Sequence, residues 1–306
     1  MRALVIGGNG FIGSHLVDRL CALGWEVIVL DLYGRRFGTI PPQVKFIRGD
    51  LHQDYLLRES LIGVEVVFHL AWTTIHEVSN QDPVADVYTN LVPSIHLLEA
   101  CRHADIRRLV FVSSGGTVYG PARTLPIDES HATNPITAYG ITKLAFEKYL
   151  HMFNQLYGLD YLVLRPSVPY GPRQNPLAKQ GAVAVFLHRI GHNMPISLWG
   201  DGSATRDFFY ISDLVDAFLA GSLKESLQNR VFNIGGGEEI SLNQLICCVE
   251  ETVGKPAIVN YYPARAFDSP RIVLDTGLAQ REFNWKSTVS LAHGLRRTWD
   301  WISSSF

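Results

Sequence analysis

Little in this chain offers a place for a metal, a disulfide, a membrane or a nucleic acid. Four cysteines occur in 306 residues, Cys21, Cys101, Cys247 and Cys248. They form no CxxC and stand at no metal-ligand spacing from histidine, so neither a metal centre nor a disulfide framework is expected. No apolar run approaches the ~18 residues that a membrane span needs. Neither sign of charge dominates, with 27 Lys and Arg against 29 Asp and Glu and a net charge of -2. The basic residues are scattered, so no field for nucleic acid or anionic lipid is expected. A small molecule is the ligand class that remains. A strand read from Arg2 leaves no room for a charged and apolar leader, which together with the unpaired cysteines predicts a cytoplasmic protein. No internal repeat or low-complexity tract interrupts the chain.

The chain does carry abundant apolar residues, 47% against 18% charged, enough for the core of one large or two intimate domains. Short β-branched runs alternate with helical patterns through the first half: "RALVIGG", "EVIVLD", "VKFIRGD", "VEVVFHLA", "RRLVFVSS" and "DYLVLRP". Strands apolar on both faces suit a parallel sheet covered by helices on each side. Helices are expected at Phe11 to Leu23, Val84 to Cys101 and Ala138 to Tyr157. After Arg165 the texture turns to Pro- and Gly-rich loops with short helices at Asp213 to Leu223, Leu242 to Val253 and Leu291 to Ile302. The expected fold is α/β, a doubly wound parallel sheet over residues 1–165 that also receives elements from about 207–236. A smaller substrate-binding lobe is expected over 166–306, with a cleft between the two.

"VIGGNGFIGSHL" sets Gly8, Gly10 and Gly13 in a GxGxxG pattern, and Gly7, Gly10 and Gly13 in GxxGxxG. Glycines so spaced between a strand and a helix permit a tight turn, approach of backbone to a pyrophosphate, and close packing of helix on strand. Phe11 and Ile12 open that helix, where free N–H groups face an anion. Asp31 ends the second strand, where a carboxylate accepts hydrogen bonds from an adenosine ribose and repels a 2′-phosphate. This Rossmann-type pattern predicts NAD over NADP. Arg35 and Arg36 could pair with a 2′-phosphate, or be solvated loop residues, which is the reading preferred here.

"Tyr139-Gly-Ile-Thr-Lys143" is a YxxxK spacing, which sets phenol and ammonium one turn apart on a helix face. A lysine charge close to the phenol is expected to stabilise its phenolate and bring it into a useful range for proton transfer. With the glycine loop, Asp31 and the strand-end Ser113, the pattern resembles the extended short-chain dehydrogenase/reductase family. Within it, the chain is most similar to the nucleotide-sugar epimerase and dehydratase branch and to UDP-hexose 4-epimerases. The resemblance runs almost end to end. It implies that Tyr139 transfers the proton and that Lys143 also holds the nicotinamide ribose. Gly49-Asp50, the following Leu51, His69-Leu70-Ala71 and Asn90 look like cofactor-lining segments. Asp50 could equally be a turn residue, His69 a satisfied strand-end histidine, and Asn90 a helix hydrogen-bonder.

In the second lobe, "GDGSATRDFFYISDL" resembles the segment whose arginine clamps the substrate diphosphate, here Arg206. "PARAFDSP" resembles a second clamp, with Arg265 on phosphate and Asp268 on the nucleotide ribose. Salt bridges to Asp207 or Asp268 are the alternative for these arginines. Trp199 stands where the family places an apolar residue beside the nucleobase, and core packing is an equal reading. Two departures stand out. Where the epimerase pattern puts a catalytic hydroxyl, this chain has Gly115, which leaves Thr117 as the nearest donor and Ser113 and Ser114 as further ones. Val168 replaces an asparagine that contacts substrate. The dehydratases' acidic pair aligns with Gly116 and Thr117, so a 4,6-dehydratase is disfavoured.

The resemblance therefore implies an NAD-dependent nucleotide-sugar 4-epimerase that works through a 4-keto sugar, most simply as a homodimer contacting through Val84 to Cys101 and Ala138 to Tyr157. An NAD(P)H-dependent 4-ketoreductase of a 4-keto-6-deoxy sugar nucleotide is the alternative. A dinucleotide-sensing protein without catalysis is a third reading.

Overall fold

A computed structural model describes residues 1–73, 76–178, 180–228, 230–265 and 269–306. The apolar runs of the first half become β1 (Arg2–Ile6), β2 (Glu26–Asp31), β3 (Lys45–Arg48), β4 (Val66–His69), β5 (Arg108–Val112) and β6 (Tyr161–Pro166). All six run parallel. Among the described residues they form a seven-stranded sheet in the order β11-β6-β5-β4-β1-β2-β3, closed at one edge by Val231–Ile234, numbered β11 in chain order. Strand order reverses between β1 and β4, the place where doubly wound sheets bind ligands at their carboxyl ends.

Helices cover both faces. They are α1 (Phe11–Ala22), α2 (Asp54–Ser60), α3 (His76–Gln81), α4 (Pro83–Asp86), α5 (Val92–Arg102) and α6 (Ala138–Tyr157). Leu57, Leu97, Leu98, Phe146, Leu150 and Phe153 from α2, α5 and α6 join Leu4, Val67, Leu109 and Phe111 of the sheet in one core. Helix α6 follows its local signals. The Thr137 hydroxyl accepts the Gly140 N–H at its start, and Gly158, left-handed at φ 73, ends it.

The continuous helix expected at Val84 to Cys101 is instead broken. A π-helical turn, Val87–Leu91, separates α4 from α5. Pro93 at the start of α5 brings no N–H to an α-helical ladder. The extra residue in the turn leaves Asn90 buried, with its amide nitrogen donating to the Asp86 carboxylate at 3.0 Å. Single π turns of this kind recur at functional sites.

The chain divides into two compact units. The first comprises 1–120, 132–165 and 218–232. The second comprises 121–131, 166–217 and 233–306. In the second, β7 (Val168–Tyr170) pairs parallel with β10 (Phe208–Tyr210), β8 (Ile196–Trp199) parallel with β13 (Val259–Tyr262), and β9 (Thr205–Arg206) antiparallel with β12 (Ile240–Ser241). Five further helices are α7 (Ala182–Gly191), α8 (Ile211–Leu223), which ends in the first unit, α9 (Leu242–Val253), α10 (Gly277–Phe283) and α11 (Leu291–Ser305). Asp207 ties this unit together from inside: its carboxylate accepts the N–H groups of Gly236 at 2.6 Å and Gly237 at 3.1 Å.

Candidate active site

The glycine loop divides its roles clearly. Gly7 adopts φ +79, and a Cβ there would come within 2.8 Å of the Ala71 nitrogen. At Gly13 a Cβ would come within 2.2 Å of the Gly7 carbonyl oxygen, so helix and loop can touch only without a side chain. Gly10 is different. It is exposed, its φ of -71 suits any residue, and a Cβ there meets nothing among the described residues nearer than the Gly7 oxygen at 3.4 Å. Neither backbone nor packing requires glycine at that position, which leaves close approach of a ligand as the reason. Helix α1 beyond it has no capping side chain and no acidic residue in its first turn, so the N–H groups about Phe11 and Ile12 keep their pull on an anion.

Asp31 accepts the Asn9 N–H at 3.0 Å and the Tyr33 N–H at 3.2 Å. Burial raises its carboxyl from the ordinary range while these N–H groups hold it down. Arg35 is neither solvated, as the sequence reading preferred, nor available to a 2′-phosphate. Its side chain is 4% exposed and pairs with Asp18 at 2.8 Å, with a further bond to the Thr39 carbonyl. Arg36 is exposed. Next to Asp31, an open cavity of about 580 Å³ is lined by Leu32, Tyr33, Arg48, Gly49, Asp50, His52 and Gln53. Asp50 is both a turn residue, accepting the His52 N–H at 3.0 Å, and part of that wall. Leu51 behind it is buried. A dinucleotide fits these features: an open glycine for the pyrophosphate, a carboxylate for the ribose and an adjoining cavity.

At the carboxyl end of β4, Leu70 and Ala71 both donate their N–H groups to the Ile6 carbonyl, closing that segment onto the glycine loop. His69 is buried and its Nε2 meets the Ser94 hydroxyl at 2.8 Å. Burial, with the Lys143 charge adding, pushes its imidazole down to about 3, so it is neutral. Asn90 accepts the Thr73 N–H at 2.7 Å and thereby fixes the strand end after Ala71.

Tyr139 and Lys143 sit one turn apart on α6. Lys143 is 2% exposed, donates to the Val112 carbonyl at 2.7 Å, and lies 4.1 Å from the Trp72 ring centroid and 5.7 Å from that of Tyr139. The expected lowering of the tyrosine by the lysine is not found. Burial raises the Tyr139 phenol above its ordinary value, and the Asp86 charge adds to that. Burial likewise pushes the Lys143 ammonium down to about 7, with Glu147 and Asp86 opposing. Asp86 lies beneath the pair, fully buried, accepting the Thr142 hydroxyl at 2.6 Å. Asp86 escaped the sequence reading. Its only signal there was an i, i+4 spacing to Asn90 inside an otherwise apolar helix face.

The hydroxyls near Gly115 differ in their commitments. Ser113 is buried and donates to Glu147, which in turn binds Arg165 at 2.5 Å. Arg165 also donates to the Tyr119 phenol oxygen at 2.9 Å. The Ser113 hydroxyl is thus part of a buried structural network and is not a replacement donor. Ser114 is half-buried, and its carbonyl accepts the Thr117 N–H. Thr117 is 9% exposed, and its hydroxyl oxygen is buried without a hydrogen-bond partner among the described residues. A Cβ at Gly140 would lie 3.2 Å from the Thr117 Cβ, so this hydroxyl-bearing residue packs against α6 at Gly140, the residue that follows Tyr139.

In the second unit, the Arg265 guanidinium lies 4.5 Å from the Trp199 ring centroid, and Trp199 stacks on Tyr262 at 5.8 Å. Trp199 is 41% exposed, so it is not a core residue. Arg206 donates to the Thr205 carbonyl at 2.7 Å and sits on β9. Val168 opens β7 opposite Phe208. Asp268 lies outside the described residues.

A parallel sheet reversing at β1 and β4, a glycine loop left open at Gly10, and a tyrosine–lysine pair on α6 define an enzyme of the short-chain dehydrogenase/reductase class. The chain belongs to the NAD dependent epimerase/dehydratase family, whose profile matches residues 3–235. It is 37% identical to a UDP-glucose 4-epimerase of Mycolicibacterium smegmatis, over 97% of each chain. The crystal structure of Thermus thermophilus UDP-glucose 4-epimerase in complex with NAD is 35% identical, with a TM-score of 0.92 and all of both chains covered. A dTDP-4-dehydro-6-deoxyglucose reductase of Escherichia coli is 31% identical, over 95% of this chain and 94% of that one.

Proposed function

We propose that this protein inverts carbon 4 of a UDP-linked hexose of the UDP-glucose and UDP-galactose type. The observation that carries the reading is the buried Thr117 hydroxyl, without a partner among the described residues and packed against Gly140 next to Tyr139 in the chain, in a unit whose glycine loop and Asp31 suit NAD. NAD, when bound, supplies the two-electron oxidation and re-reduction of carbon 4. The loop from Gly7 to Gly13 would hold its pyrophosphate, Asp31 its adenosine ribose, and Lys143 its second ribose. Tyr139 takes the proton from the 4-hydroxyl and later returns it, while Thr117 donates a hydrogen bond to the same oxygen as charge develops there. Burial and the Asp86 charge raise the phenol, and the positive charge that NAD+ would bring, held by the glycine loop and Lys143, would oppose that rise.

The remaining binding energy comes from the nucleotide end. Two guanidiniums, Arg206 and Arg265, suit a diphosphate because each offers a planar fork of donors. Trp199, exposed and stacked on Tyr262, suits a nucleobase face. A sugar held chiefly through its nucleotide is free to present either face at carbon 4. A homodimer through the outer faces of the segments 83–102 and 138–157 is supported by Val84, Tyr88, Ile141 and Leu156, all exposed there. No described helix is long and apolar enough to cross a membrane. A cytoplasmic location suits a nucleotide-sugar substrate.

The similarity to a 4-keto-6-deoxyglucose reductase favours a second reading, one-way reduction of such a keto-sugar. Acid quenching of the purified protein, followed by chromatography of what is released, separates the two. Stoichiometric NAD supports the epimerase. A protein that releases none and consumes NAD(P)H with a 4-keto sugar supports the reductase.

A further inference from the structure

Trp72 is the second residue of the loop that follows Leu70, and it is placed between the two ends of the dinucleotide track. On one side its neighbour Ala71 lies against Gly7 of the glycine loop, where a Cβ on Gly7 would approach the Ala71 nitrogen to 2.8 Å. On the other, its ring lies 4.1 Å from the Lys143 ammonium. The ring is held in place by aromatic neighbours, Phe111 at 5.7 Å and His69 at 6.2 Å between centroids. Its Nε1–H is out of reach of solvent and has no hydrogen-bond partner among the described residues.

An indole N–H left in that state costs stability, because desolvation is not offset by a bond. Buried tryptophan N–H groups ordinarily find an acceptor. The aromatic cluster alone does not require one, since phenylalanine would supply the same apolar face and the same contact with the ammonium. The nitrogen is therefore the part of Trp72 that the protein by itself does not use. Building on the proposed NAD-dependent activity, we propose that the Trp72 indole N–H donates a hydrogen bond to an oxygen on the nicotinamide half of the bound dinucleotide. It thus serves as a second anchor beside Lys143, while its ring face holds the lysine in position.

The test uses the full-length protein, freed beforehand of any dinucleotide it retains on purification, and NAD+ itself. Isothermal titration with NAD+ and, separately, with AMP is carried out on the wild type and on two variants. One is Trp72→Phe. The other carries benzothienylalanine at position 72, which keeps the indole volume and places sulfur where the N–H was. Both variants should bind NAD+ about tenfold more weakly, the loss expected for one donor to a ligand oxygen, and AMP as the wild type does. In parallel, the indole N–H resonance assigned to Trp72 by its disappearance in Trp72→Phe should move downfield on saturation with NAD+ and stay in place with AMP. NAD+ affinity of the benzothienyl protein within twofold of wild type overturns the proposal, as does an unmoved Trp72 resonance. Equal weakening toward AMP overturns it as well, because the effect is then general packing. Wild-type protein that releases no NAD on acid quenching and, once freed of dinucleotide, binds no NAD+ at all contradicts the proposed function together with this inference, whereas the other failures leave that function standing.

Discussion

Replacing Thr117 by valine separates a catalytic hydroxyl from a packing residue. The two side chains have nearly the same shape, and Thr117 is 9% exposed with its Cβ against the Gly140 backbone, so valine fills the same space. The threonine hydroxyl has no partner among the described residues to lose. Removing an unsatisfied buried polar group leaves the unliganded protein as stable as before or more so. If the hydroxyl donates to the oxygen on carbon 4 as charge develops, its loss costs roughly 1.5–3 kcal/mol, the range for hydrogen bonds to charged groups. With ~1.4 kcal/mol per factor of ten, turnover falls about ten- to a hundredfold. Steady-state kinetics with UDP-glucose, beside thermal unfolding of the unliganded variant, reads both quantities. Gly115→Ser should partly restore the rate of Thr117→Val by returning a hydroxyl to the position where the related pattern has one. A Thr117→Val enzyme as fast as the wild type refutes the assignment and leaves Ser114 or water as the donor. A variant that loses turnover and stability together refutes it too.

Tyr139→Phe should bind NAD normally and lose about 10²-fold or more in turnover, measured under saturating substrate. Gly10→Ala should melt within a degree or two of the wild type yet lose NAD binding, because its Cβ is open to the ligand and not to the chain. Gly13→Ala, by contrast, should fail to fold stably, since its Cβ collides with the Gly7 carbonyl at 2.2 Å; differential scanning fluorimetry distinguishes the pair. Asp31→Ala should weaken NAD and bring NADP affinity level with it or above, and a wild type already preferring NADP contradicts the role given to Asp31. Lys143 titrates near about 7 in the folded protein against ~10.4 in an unfolded chain. Between those values the unfolded chain holds a proton that the folded one has released, so the lysine's burial penalty is full below about 7 and shrinks as pH rises. Lys143→Met should therefore stabilise the unliganded protein more at about pH 6.5 than at about pH 9.5 while abolishing turnover; a pH-independent difference contradicts the cause given.

The strands were legible because buried parallel strands must be apolar on both faces, and "RLVFV" or "EVIVL" have no other stable place. Helix α6 was legible to both ends, since Thr137 and Gly158 mark its caps in the sequence itself. The break at Val87–Leu91 was not, because what stabilises it is tertiary: the buried contact of Asn90 with Asp86 and Thr73. Spacing likewise placed Tyr139 beside Lys143 but said nothing of burial. Desolvation, with the Asp86 charge adding, drives the phenol up, where proximity to Lys143 alone suggested the reverse. Ser113 illustrates the same limit: its acceptor, Glu147, lies 34 residues away and becomes a neighbour only when α6 packs on the sheet. Trp72 carried no motif, and only the fold brings its ring to Lys143.

Oxidation at carbon 4 followed by return of the same hydrogen is the centre of this account, and one measurement addresses it directly. Purified protein is incubated with UDP-glucose deuterated at carbon 4, with no cofactor added, and the products are followed by proton NMR. The account predicts an equilibrium mixture of UDP-glucose and UDP-galactose in which deuterium remains at carbon 4. No galactose-configured product from a protein shown to hold NAD, or a product whose deuterium has exchanged with solvent, contradicts it.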